Sequence, residues 1–415
     1  MKKRLLLITN GYPYGESERG FLTEEVKILS AQFDLYIMAL DNGDDLRYPT
    51  DGISHIEQYR YSSFRQTRQF RALPYVFQMA SLREGWQYAK SKGFSNPLGD
   101  FRRILYCRFN VWEMEQQIAE LVRSNSIDMV YTYWCTECTV AAVNLKKRFP
   151  HLKVVTRFHG MDLYEERTAE NWQPFRKEIA KKADGLCFAC EYGRTYFMER
   201  WGTEYADKMG VFYLGSPDYG VQPYSRTEHL RLVSCSNLIP LKRVDLIVES
   251  LAFLPKTVRV FWNHFGDGVE RAKLEELAKE RFCNCPNIQW KFHGFVPNGT
   301  LAEKYREIGP DLFITTSSTE GGAPVSMQEV FSMGIPAIGT PIGGIPDLIV
   351  DGQTGFLLPQ NVKPQDVAAA LMRYVALTDT QKREMTAAVR HRWEEKFNAK
   401  TNAVQFAAYL QNLLP

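Results

Sequence analysis

The stretch that decides the fold is Asp311-Leu312-Phe313-Ile314-Thr315, followed by Ser317-Ser318-Thr319-Glu320-Gly321-Gly322-Ala323-Pro324-Val325-Ser326-Met327-Gln328-Glu329-Val330-Phe331. The first part is a short apolar run of the kind that forms a buried strand. Gly321 and Gly322 let backbone amides approach a ligand, and Pro324 suits the first turn of a helix. Exposed amides at a helix start make an anion site suited to a diphosphate. Glu320 stands before that helix and Glu329 inside it. A carboxylate beside an anion site is costly unless it accepts hydrogen bonds, and sugar or ribose hydroxyls are suitable donors. Taken alone, Glu329 reads equally well as a solvated helix residue.

The same strand-then-helix pattern extends outward over the whole chain. Apolar runs at 4–9, 34–39, 127–132, 152–157, 184–189 and 209–214 read as strands in the first half. In the second half, 230–235, 257–263, 287–293, 311–315, 335–339 and 355–358 read the same way. Helical patterns such as 136–149 lie between them, and beyond Pro364 the pattern is purely helical. Non-alternating strands separated by helices predict an α/β fold of parallel sheets covered on both faces. The Gly/Pro-rich stretch 213–223 reads as a hinge, which gives lobes of 1–215 and 224–398. Two doubly wound lobes would leave a cleft at the carboxyl ends of their strands, where ligands of such sheets bind.

At 415 residues, 45% hydrophobic and 24% charged, the chain has the composition of a globular protein of two or three domains. A formal charge of +3 argues against a whole-surface field for nucleic acid. Residues 57–108 carry ten Lys/Arg against three Asp/Glu, with Arg60, Arg65, Arg68, Arg71, Arg102 and Arg103 set among Tyr59, Phe64, Phe70, Tyr75, Trp86 and Phe101. This is either a solvated helical face or a surface for anionic lipid headgroups, that is, peripheral membrane contact, or for a phosphate-bearing acceptor. Eight scattered cysteines and an opening apolar run of only Leu5–Ile8 predict free thiols in the cytoplasm. The Cys135/Cys138 and Cys187/Cys190 pairs read as core rather than zinc ligands, the second pair within one strand.

The 311–331 segment continues through Gly334-Ile335-Pro336-Ala337-Ile338-Gly339-Thr340, Gly343-Gly344-Ile345-Pro346-Asp347 and Asp351-Gly352-Gln353-Thr354-Gly355-Phe356. Upstream lie Ser236-Asn237-Leu238-Ile239-Pro240-Leu241-Lys242-Arg243, Gly266-Asp267-Gly268 and His293-Gly294-Phe295-Val296. The first half adds an opening loop through Pro13 and Phe158-His159-Gly160-Met161-Asp162. In this order the motifs resemble family 4 of the GT-B glycosyltransferases. The resemblance implies two Rossmann-like lobes facing across a cleft, with the last helix, 399–415, crossing back to the first. It also implies retaining transfer of a hexose or N-acetylhexosamine from a nucleotide diphosphate sugar to a saccharide or lipid-linked acceptor in bacterial surface polysaccharide assembly. No cofactor or metal is implied, and a uridine donor is preferred to a guanosine one.

Carried over residue by residue, Glu320 contacts the donor sugar, Glu329 takes the ribose hydroxyls and Lys242 neutralises the diphosphate. Gly294, Phe295 and Val296 meet the base, and His159 lines the sugar pocket from the first lobe. The turn amides from Gly321, Gly322, Ala323 and Pro324 complete the donor side. Gly11, Tyr12 and Asp162 fall on the acceptor side, Asp162 either orienting His159 or capping the next helix. Glu16, Glu18 and Glu24 are available acceptor-side carboxylates. The chain departs from the family twice. The interval between Glu320 and Glu329 is one residue longer, and Asn237 stands where the family has Arg, so either Arg243 swings in or Lys242 and the amides hold the diphosphate alone. The rival readings are an epimerase or hydrolase on the same scaffold and a catalytically silent donor-binding subunit.

Overall fold

A computed structural model describes residues 2–14, 18–41, 43, 48, 50–60, 79–168 and 171–415. Leu5, Leu6 and Leu7, consecutive on β1 (Arg4–Thr9), are all fully buried. Successive strand residues point to opposite faces, so both faces of this sheet are covered and an uninterrupted apolar run is what such a strand requires. The first sheet is all parallel. Its strands are β1, β2 (Asp34–Ala39), β3 (Ile53–Gln58), β4 (Met129–Thr132), β5 (Lys153–Phe158), β6 (Gly185–Phe188) and β7 (Met209–Val211), in the order β3-β2-β1-β4-β5-β6-β7. The second, also parallel, takes β8 (His229–Cys235), β9 (Arg259–Phe265), β10 (Ile288–Phe292), β11 (Leu312–Thr315), β12 (Ala337–Gly339) and β13 (Gly355–Leu357) in the order β10-β9-β8-β11-β12-β13.

These are two Rossmann-like α/β domains. In each, the strand order reverses beside the first strand, between β1 and β4 and between β8 and β11. At such a point the following loops diverge and leave a crevice at the carboxyl ends. All twelve expected strands form, most of them trimmed at the ends. β3 is additional. It is an edge strand paired only with β2, and its sequence Ile-Ser-His-Ile-Glu-Gln leaves Ser54 and His55 exposed, so it presents no apolar run. Cys187 and Cys190 do not share a strand, because β6 ends at Phe188.

Residues Met1–Ala189, Gly193–Phe212 and Ala403–Pro415 make one compact unit, and Cys190–Tyr192 with Tyr213–Asn402 the other. From Ala403 onward the last helix, Ala399–Asn412, therefore belongs to the first unit. There Phe406 lies 5.0 Å from the Tyr131 ring and 5.2 Å from Phe212, and the Arg157 guanidinium sits 4.2 Å over it. Arg157 is itself buried and paired to Glu25 at 2.6 Å. The 213–223 stretch is fastened to the second unit. Ser216 N donates to Phe397 O at 2.9 Å, Asp218 pairs with Arg390 at 2.7 Å, and Gln222 N donates to Met333 O at 2.9 Å.

Candidate functional site

In the second unit the loops leaving β8 and β11 are sewn together. Ser318 N donates to Leu241 O at 2.8 Å, and the Thr316 hydroxyl donates to Arg243 O at 2.7 Å. Thr340 Oγ1 holds Ser317 O at 2.7 Å from the neighbouring strand's end. Gly343, at φ +52°, lies so close beneath the loop that a Cβ there would stand 2.5 Å from Glu320 O. This scaffold brings Lys242, on the short 3₁₀ turn Pro240–Lys242, against Glu320, with Nζ 2.5 Å from Oε1 and both side chains largely buried. Two residues 78 apart in sequence thus form one charge-assisted hydrogen bond at the point where the strand order reverses.

Beyond Glu320 the chain turns through Gly321–Pro324 into the helix Val325–Ser332. Pro324 is the residue immediately before the helix rather than in its first turn, at φ −59° and ψ 131°. The amides of Gly322, Ala323, Val325 and Ser326 donate to no acceptor among the described residues, which makes this turn an anion cradle. Glu329, one turn into the helix, is 6% exposed. Burial pushes its carboxyl up to about 7, partly offset by a hydrogen bond from the Tyr219 phenol. Tyr219 is a site residue the sequence reading missed, since it sits in the Gly/Pro-rich stretch read as a hinge.

The remaining residues expected on the donor side line the same strand ends. Gly266 N donates to Gly294 O at 2.9 Å, and a Cβ on Gly266 would fall 1.9 Å from Ser236 O, so the ends of β9 and β10 close onto the 236–238 loop. Phe295 projects from this rim, 76% exposed, with Val296 half-buried beside it. Asn237 is exposed, and Arg243, at φ +47°, has no ion-pair partner among the described residues. Among the described residues no group of three or more His, Cys, Asp or Glu side chains is placed to hold a metal.

In the first unit the loop after β1 is clamped by Glu18. Its carboxylate accepts from Asn10 N at 2.9 Å, from Gly11 N and Tyr12 N at 2.8 Å each, and from Trp134 Nε1 at 2.6 Å. At 1% exposed and fully committed, Glu18 is a structural anchor rather than an acceptor-side carboxylate. Tyr12 is buried too, stacked on Tyr48 with ring centres 5.7 Å apart, and burial pushes its phenol up to about 12. Glu24 is half-buried on the first helix, Arg19–Gln32, and Glu16 lies outside the described residues.

After β5, Asp162 grips two loops at once, accepting from His159 N and from Cys135 N at 2.8 Å each. Its other link to His159 is the 3.8 Å separation between Nδ1 and Oδ2. The His159 ring is 8% exposed, 4.7 Å from Tyr133 and 4.3 Å from Trp134, and neither ring nitrogen has a hydrogen-bond partner among the described residues. The imidazole is held by packing against these two rings. Beside these loops lies a cavity of about 370 Å³ lined by Trp134, Glu137, Asp162, Trp172 and Gln173, with Arg103 and Cys107 on the helix Pro97–Asn125. Its mix of aromatic faces and convergent polar groups suits a small polar organic ligand.

Comparison with known proteins agrees with these two domains in fold. Residues 222–392 match the family model described as glycosyl transferases group 1. The chain is similar to the putative colanic acid biosynthesis glycosyltransferase WcaL of Salmonella typhimurium, 24% identical over 63% of this chain and 64% of that protein. It is also similar to the amylovoran biosynthesis glycosyltransferase AmsK of Erwinia amylovora, 27% identical over 44% of this chain and 45% of that one. The matches therefore span less than two thirds of these curated relatives. Among solved structures, Anabaena HepE in complex with UDP aligns with TM-score 0.65 at 18% identity, covering 99% of this chain and 100% of that one. The lipopolysaccharide outer core galactosyltransferase WaaB aligns with TM-score 0.70 at 14% identity, over 98% and 99%. These structural likenesses establish the fold.

Proposed function

We propose that the protein is a retaining, family 4 glycosyltransferase. It would move a hexose or N-acetylhexosamine from a nucleotide diphosphate sugar to a saccharide or lipid-linked acceptor in surface polysaccharide assembly on the cytoplasmic side of the membrane. The observation that carries this reading is the Lys242–Glu320 pair set beside the unpartnered amides of the 322–326 turn. A diphosphate entering the cradle competes with Glu320 for Lys242. It releases the carboxylate to accept hydrogen bonds from the donor sugar while the cation meets the phosphates. As the sugar–phosphate bond breaks, negative charge builds on the departing diphosphate. Lys242, the amides and Arg243 stabilise it, and one such donor is typically worth about 3 kcal/mol.

Glu329 accepts the ribose hydroxyls, and Gly294–Val296 meet the base. His159 and the cavity beside it serve the sugar and the acceptor. The acceptor hydroxyl attacks on the face the diphosphate leaves and passes its proton to a leaving phosphate oxygen, so no enzyme nucleophile is used. Similarity to WcaL and AmsK supports an exopolysaccharide product, and the UDP bound by HepE supports a uridine donor. Incubating the protein with a panel of UDP-sugars and saccharide or lipid-linked acceptors tests the reading. Product with retained anomeric configuration is expected. Donor loss without acceptor would instead indicate the hydrolase or epimerase, and binding without turnover the silent subunit.

A further inference from the structure

Part of the basic-aromatic stretch, 61–78, lies outside the described residues. Its remainder forms two helices, Met79–Ser91 and Pro97–Asn125. Where they meet, large apolar side chains stand in water: Leu82 is 39% exposed, Trp86 57%, Phe94 48% and Leu98 85%. Trp86 and Phe94 lie edge to face with ring centres 6.5 Å apart, and Lys90 is 5.2 Å from the Trp86 ring centre. Leu82, Trp86 and Lys90 follow one another at four-residue spacing, so they share one face of the first helix.

That face borders a groove of about 1500 Å³ in the same unit, where cations converge from elements distant in sequence. Arg83, Lys90, Lys147, Arg148, Lys177 and Lys181 line it, and none of the six has an ion-pair partner among the described residues. Ten lysines and arginines line it against five glutamates, and two of the five are committed. Glu178 binds Arg108 and Lys182, and Glu165 pairs with Arg200. We propose that this apolar rim and the cationic groove behind it form a seat for an anionic lipid bilayer, with Trp86, Phe94 and Leu98 entering the headgroup layer and the lysines and arginines meeting its phosphates.

The apolar rim favours a bilayer over a soluble anion. A small phosphate compound does not cover four exposed apolar side chains. The indole and the long lysine stems suit a boundary that is apolar on one side and wet on the other. The inference deepens the transferase reading and rests on it only for why a bilayer matters, namely that a lipid-linked acceptor is presented there.

Co-sedimentation of the full chain with vesicles of phosphatidylglycerol and phosphatidylethanolamine, against phosphatidylcholine alone, tests the seat. Binding to the anionic vesicles only, weakened by salt, is expected. Lys177→Glu with Lys181→Glu should weaken it roughly twentyfold or more, at about 1 kcal/mol per cation. Trp86→Ser with Phe94→Ser should weaken it on the order of tenfold. Circular dichroism and thermal melts of each variant, measured in parallel, show that its first domain is folded, and transfer to a soluble acceptor is scored separately so that failure of the transferase reading stays distinguishable. No preference for anionic vesicles, or wild-type binding by either double variant, overturns the proposal. So does protection of Lys177 and Lys181 from acetylation by inorganic pyrophosphate when vesicles give none.

Discussion

Glu329 shows how one buried carboxyl sets a pH dependence. Burial raises it to about 7, so in the free protein it is substantially protonated at neutral pH. Ribose hydroxyls donate to a carboxylate more strongly than to the neutral acid, so nucleotide binding favours the ionised form and releases a proton. UDP affinity is therefore expected to rise with pH through about 7 and to level off above it. Glu329→Gln should flatten that profile, as titration calorimetry between pH 5.5 and 8.5 would show. The sign for folding is opposite. A raised carboxyl stabilises the protonated fold, and that contribution fades as pH rises toward 7, so unliganded Glu329→Gln should lose less stability over this interval than the wild type. The residues proposed for the donor were legible in sequence because Glu320, Gly321, Gly322 and Glu329 stand in one run. The contact between Lys242 and Glu320 was not, since it depends on how loops from two strands are sewn together. Tyr219 was hidden in a stretch whose Gly and Pro content signals a turn and nothing more.

At the scale of elements, the site is a property of loops held by backbone geometry. Gly343→Ala places a Cβ 2.5 Å from Glu320 O at a φ of +52°. The strain is worth about 1–3 kcal/mol, and its relief must displace the loop that carries Glu320. A large fall in kcat with a small fall in Tm is expected from steady-state kinetics and thermal melts. In the first unit, Glu18→Ala removes the acceptor for three loop amides and the Trp134 indole. Buried donors left unpartnered cost about 1–3 kcal/mol each, so a marked loss of stability is expected in urea unfolding. From sequence, Glu18 looked like one of three equivalent carboxylates. Nothing in local spacing reveals that its partners are backbone amides, and only the folded loop distinguishes it from Glu24. The same limit applies to β3, whose half-exposed edge position leaves no apolar signature, whereas central strands such as β1, β4 and β5 announce themselves by burial on both faces.

Across the whole molecule, each domain repeats one solution, a parallel sheet whose strand order reverses beside its first strand, and candidate residues gather at both reversals. The last helix supports the first domain through Phe406, which is 1% exposed and packed against Tyr131, Phe212 and the buried Arg157. Phe406→Ala should cost about 3–5 kcal/mol of that domain's stability, seen as an earlier unfolding transition, while UDP binding is retained. The account as a whole turns on Lys242 and Glu320 exchanging partners when a diphosphate arrives. Calorimetric titration of UDP into the wild type, Lys242→Ala and Glu320→Ala tests this most directly. Lys242→Ala is predicted to lose on the order of a hundredfold in affinity, since it removes a cation and leaves Glu320 unpaired beside the phosphates. Glu320→Ala is predicted to bind UDP as well as the wild type or better, because its lysine is already free. Unchanged affinity in Lys242→Ala, or affinity lost in Glu320→Ala, would contradict the account.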